Sequence, residues 1–87
     1  MKDYNNRFRR EAILEYQEEM SKDLHRKISL AEISRHLGII RINLDNYLRK
    51  ADDPKKTEPK FSTILRMIER TGKPFEFWVA GGIKYEI

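Results

Sequence analysis

Apolar residues return at every fourth position through the first part of the chain: Phe8, Ala12, Tyr16, Met20 and Leu24, with Ile13 beside them. That spacing puts them on one helical face. Glu and Arg fill the opposite face, so the pattern predicts an amphipathic core helix over about residues 6–25. A second helix is predicted from Ser29. Leu30, Ile33 and Leu37 follow at helical spacing, and Ser29 with Glu32 three residues on fits a capping box, in which each side chain takes a backbone N–H of the other. Gly38 closes this helix, since glycine adopts left-handed backbone at little cost.

A third helix is expected over about residues 40–50, with Leu44, Tyr47 and Leu48 inward. A polar loop, 52–58, separates it from a fourth over about residues 61–71, with Ile64, Leu65 and Ile68 inward, Met67 flanking them and Gly72 as its stop. Pro74 suits the first turn of a short fifth helix over about residues 74–80 carrying Phe75, Phe77 and Trp78. Gly81 and Gly82 break it. The tail Ile83-Lys84-Tyr85-Glu86-Ile87 alternates apolar and polar, which reads as a short strand. The expectation is an all-α, five-helix domain with a short C-terminal β-strand.

The chain has 87 residues, with 39% hydrophobic and 37% charged positions, enough for one core beneath a heavily solvated surface. A single domain over 1–87 is expected. There is no cysteine, which leaves neither a disulfide framework nor a thiolate metal site. No apolar run reaches the roughly 18–20 residues of a membrane helix, and the first six residues lack the apolar core of a signal peptide. No membrane association and a cytoplasmic location are expected. The net charge is +4, and its distribution matters more than its size. Residues 35–60 hold seven Lys/Arg against four Asp/Glu, whereas residues 1–27 hold seven against six. The excess favours a polyanionic partner along the middle of the chain.

Two short helices joined by a tight turn at Gly38 are the arrangement of a helix-turn-helix. Ser34 is small enough for close packing. Ile33, Leu37 and Ile39, then Leu44 and Tyr47, lock the pair from inside and leave the outer face of the third helix free. Residues 29–50, SLAEISRHLGIIRINLDNYLRK, resemble the motif of the Cro/phage-repressor (Xre-type) helix-turn-helix DNA-binding domains. Residues 59–72, PKFSTILRMIERTG, are similar to that family's fourth helix, which usually opens with proline and closes with glycine. The resemblance extends over about residues 8–80 and implies a lambda-repressor-like fold.

By this resemblance the base-reading positions fall on Arg41, Ile42, Asn43, Asp45, Asn46 and Arg49. Arginine suits guanine, asparagine suits adenine, and an apolar side chain suits the thymine methyl. Phosphate contacts are expected from the backbone at Ser29 and from Lys50, Lys55, Lys56 and Lys60. Three positions depart from the family. Leu30 stands where a phosphate-gripping glutamine is common, Ile40 where a capping serine is common, and Asp45 places a negative charge on the DNA face. Asp45 is tolerable there if it accepts from a cytosine amino group or pairs with Arg41 or Arg49.

Other residues read more plainly. His25 and His36 are far apart with no carboxylate or cysteine at ligand spacing, so no metal is expected. No catalytic constellation or phosphate loop is present, and no enzyme activity or cofactor is expected. Asp52-Asp53 reads as a solvated turn. Arg7, Arg9 and Arg10 read as a solvated helix face or as a DNA-reaching arm. Phe75, Phe77 and Trp78 read as core, or as part of a contact between copies. Regulators of this size bind paired half-sites as homodimers, and residues 81–87 are the candidate dimerisation tail, with Ile83, Tyr85 and Ile87 on one side and Phe75 and Trp78 extending the contact. The expected function is sequence-specific binding of double-stranded DNA by a repressor or activator of phage or mobile-element type. The alternative is a protein-interaction module, an antitoxin or anti-repressor with a regulatory protein as its partner.

Overall fold

The computed structural model describes Lys2–Asp3, residues 8–80 and Lys84–Tyr85. Among these residues five helices follow in chain order: α1 (Arg10–Asp23), α2 (Leu30–Leu37), α3 (Arg41–Leu48), α4 (Phe61–Thr71) and α5 (Phe75–Trp78). Two short strands, β1 (Lys2–Asp3) and β2 (Lys84–Tyr85), flank them, and apart from that ribbon the domain is all-α. No helix among the described residues is long and apolar enough to cross a membrane.

One core gathers a face from every helix. Ile13 of α1, Ile33 and Leu37 of α2, Leu44 of α3, Ile64 and Met67 of α4, and Trp78 of α5 are all fully buried. α2 packs on α4, and α1 on α2, α3 and α5. The fourfold spacing of apolar residues is therefore a true core signal, but it overstates α1 at both ends. Phe8 is buried in extended backbone, in an antiparallel bridge to Val79, and the next N–H, that of Arg9, donates to the Trp78 carbonyl at 2.7 Å. Leu24 caps α1 and is 49% exposed. The chain turns away there through His25, whose φ is 54°.

The structure corrects two further expectations and adds one core residue. Leu65 is exposed, and Met67 takes the inward place. At about 100° per residue, Met67 and Ile68 return to the side of Ile64 while Leu65 swings off it. Ile28, outside any helical pattern, is fully buried; its N–H donates to Ser21 Oγ at 3.0 Å and its carbonyl accepts from Gln17 Nε2 at 2.7 Å. α5 is shorter than predicted because Pro74 is its N-cap and Val79 is already extended, with φ −130°.

The C-terminal strand has a partner within its own chain. Lys2 pairs with Tyr85 and Asp3 with Lys84, antiparallel, in the same register as the Phe8–Val79 bridge. Of the candidate dimerisation tail over residues 81–87, the described part, Lys84–Tyr85, is thus already paired on one edge by β1.

Candidate nucleic-acid interface

The capping box at the start of α2 is formed. The Ser29 hydroxyl accepts the Glu32 N–H at 3.1 Å, and the Glu32 carboxylate accepts the Ser29 N–H at 3.5 Å. Arg26 donates to both oxygens of that carboxylate, at 3.1 and 2.9 Å. Glu32 is held below its usual carboxylate range, first by Arg26 and further by the Ser29 N–H. Ser29 thus stands at the exposed start of α2 with its hydroxyl already engaged, so any phosphate contact there falls to backbone N–H groups.

The turn from α2 to α3 is closed from two sides. Gly38 adopts φ 72° and ψ 33°, and the Ile39 N–H donates to the Ser34 carbonyl at 2.9 Å. Ser34 is buried, its hydroxyl donating to the Ala31 carbonyl at 2.7 Å. From α4, Arg70 donates through Nε to the His36 carbonyl at 2.9 Å and through Nη2 to the Arg35 carbonyl at 3.1 Å. Arg66 reaches the Gly38 carbonyl at 3.3 Å. The last carbonyls of a helix lack internal partners, and cations suit that negative end. The two α4 arginines therefore fix where α2 stops and where α3 starts. They lie 28 or more residues from their acceptors, and in sequence they look like any solvated basic pair.

α3 presents two different faces. Leu44 and Tyr47 are buried, as the spacing predicts. Arg41, Ile42 and Asn43 are exposed and Asp45 and Asn46 half-exposed, and Ile42 keeps 60% of its surface in solvent. Ile40 gives no side-chain cap, and the first turn of α3 holds no acidic residue. Arg41 donates through Nε to Asp45 Oδ1 at 2.9 Å, one of the two pairings foreseen for Asp45. Asn46 and Arg49 are tied together: Arg49 Nε donates to Asn46 Oδ1 at 3.0 Å and its Nη1 to Asp53 Oδ2 at 3.0 Å. Asp53 also accepts the Lys55 N–H at 2.8 Å, so it is a structured turn residue. Its carboxyl is held below the usual range, first by that N–H and then by Arg49.

The end of α3 collects cations that sequence did not place there. Arg10 donates to the Leu48 carbonyl at 2.8 Å, and the Lys56 ammonium donates to the Tyr47 carbonyl. Lys56 thus holds the end of α3 and is half-buried, whereas Lys50, Lys55 and Lys60 are exposed. Arg9 donates to the Phe77 carbonyl at 2.6 Å and to Glu15 at 2.7 Å. Arg9 and Arg10 are bound to the body of the domain and do not form a free arm; Arg7 lies outside the described residues.

The aromatic residues of the expected copy-to-copy contact divide. Trp78 is fully buried and has no surface to offer; it packs against Tyr16 and, edge on at 4.8 Å, against Phe77. Phe75 is half-buried beside Phe61. Tyr85 lies in β2, and Ile83 and Ile87 lie outside the described residues. Compared with known proteins, the chain matches no family model, no curated protein and no solved structure.

Proposed function

We propose that this chain binds double-stranded DNA through α3 in the major groove and acts as a sequence-specific transcriptional regulator of the phage-repressor or mobile-element kind. The supporting observation is the division of α3. Leu44 and Tyr47 lock one side into the core, and a clamped turn fixes its start. The other side carries Arg41, Ile42, Asn43, Asp45 and Asn46 outward with no part in the core. That is the arrangement by which a recognition helix offers its first residues to base edges. Lys50, Lys55 and Lys60 follow as exposed residues, where a phosphate strand running past the helix would meet them. Two such domains on paired half-sites would complete the operator.

A second reading is a protein-interaction module, and one observation favours it. Ile40 and Ile42 are 69% and 60% exposed at the start of α3, an apolar pair that a partner protein would cover as readily as thymine methyls would. Selection from random duplex DNA at moderate salt separates the two. An enriched motif, especially one with two half-sites, supports the regulator; duplexes that never rise above background overturn it.

A further inference from the structure

We propose that Asp45 determines base choice by aiming Arg41 at a single guanine. The inference rests on the DNA-binding reading above. An arginine carries five N–H donors in a planar fork. Here one of them, on Nε, is fixed on Asp45 Oδ1 at 2.9 Å. Nη1 and Nη2 have no partner among the described residues, and they are the pair of donors that matches O6 and N7 of guanine. In the groove, where DNA shields the pair from water, that contact keeps the fork aligned with its acceptors. Asp45 Oδ2, also without a partner among the described residues, remains free to accept from a cytosine amino group next to that guanine.

Helix stability does not account for the pair. Its side chains are 49% and 42% exposed, a setting in which an ion pair adds little to folding. Its order is also the less favourable one. The cation precedes the anion along the helix, and Arg41 is the first residue of α3, at the positive end of the helix dipole. A pair placed for stability would run the other way. Asp45 also lowers the attraction of this face for phosphates, which makes sense if it acts on base choice.

The test compares the wild type, Asp45→Ala, Asp45→Asn, Arg41→Lys and the double variant Arg41→Lys/Asp45→Ala. Each goes through duplex selection and then titration on the selected site, on single-base changes of it, and on unrelated duplex. The expected wild-type motif contains a G·C pair that depends on Arg41. Asp45→Ala should lose roughly 5- to 150-fold of discrimination at that base pair, while its binding to unrelated duplex holds or rises. Asp45→Asn keeps an acceptor for Nε and should retain part of the preference. Arg41→Lys should lose preference at the same base pair, with no further loss in the double variant. An Asp45→Ala protein that binds every duplex more tightly, with base preferences unchanged, overturns the proposal and leaves the DNA reading standing. A wild type that enriches no motif overturns the DNA reading itself.

Discussion

A methyl group on Gly38 would stand 3.0 Å from Cδ of Arg70 and 3.1 Å from its Nε. The turn that delivers α3 is therefore closed by a side chain from another helix as well as by its own left-handed backbone. Gly72 makes a useful contrast, with a similar φ of 75° and nothing within 4 Å of the place a Cβ would occupy. Gly72→Ala should meet backbone strain alone, about 1–2 kcal/mol. Gly38→Ala should add the displacement of Arg70 and Arg66, for a total of about 2–4 kcal/mol. Urea denaturation of the two variants checks the ordering; equal losses would mean that the arginines give way freely.

Arg70 touches no proposed DNA contact, and its effect on binding should be indirect. Arg70→Met removes the donors to the Arg35 and His36 carbonyls and should lower stability by about 1 kcal/mol. It should also weaken operator binding by letting the start of α3 shift. Because no phosphate contact is lost, the dependence of binding on salt should keep its slope. A slope reduced by about 0.9 would make Arg70 a phosphate ligand.

Three of the four lysines between α3 and α4, Lys55, Lys56 and Lys60, should separate in the same measurement. Lys55→Ala and Lys60→Ala should each reduce the log–log salt slope by about 0.9, the signature of one neutralised phosphate. Lys56→Ala frees the Tyr47 carbonyl that its ammonium holds, so it should act mainly on stability. A full unit of slope lost in Lys56→Ala, with stability untouched, would reverse this assignment.

Acid should loosen the start of α2. Glu32 is lowered from its ordinary 4.5 by Arg26 and the Ser29 N–H, so the unfolded chain binds its proton more readily than the folded one. The contribution is complete above the ordinary value and is lost as pH falls through the folded pKa. Asp53 follows the same sign from its ordinary 3.8. The difference in urea midpoint between wild type and Glu32→Gln should thus be present at pH 7 and shrink towards pH 3. A difference independent of pH would remove the carboxylate charge from the account.

Local chemistry was legible in the sequence. Ser29, Glu32 and Gly38 declare a helix start and stop through contacts only a few residues long, and Gly72 does so again. The buried side of α3 followed from spacing because Leu44 and Tyr47 stand one turn apart among polar neighbours. Spacing failed where apolar residues crowd: it could not rank Leu65 against Met67. It put Phe8 rightly in the core but wrongly in a helix, and it passed over Ile28, because the core takes both from outside the helices. The candidate site was half legible. The outward residues of α3 followed from the same spacing, but the groups that hold α3 in place did not. Arg10, Lys56, Arg66 and Arg70 act on carbonyls elsewhere in the fold, and a lysine or arginine bound to a distant carbonyl reads the same in sequence as one in water.

The shared antiparallel register of Lys2–Tyr85, Asp3–Lys84 and Phe8–Val79 has a mechanical consequence. β1 and β2 run side by side in opposite directions, so opposed forces applied at Lys2 and Tyr85 load their pairings as a zipper. These pairings would be peeled in succession from the outer end, before tension reached the helices. Because Lys2 and Tyr85 face each other across the ribbon, loads applied at these two residues enter the molecule at one place, away from the helix that carries the candidate site.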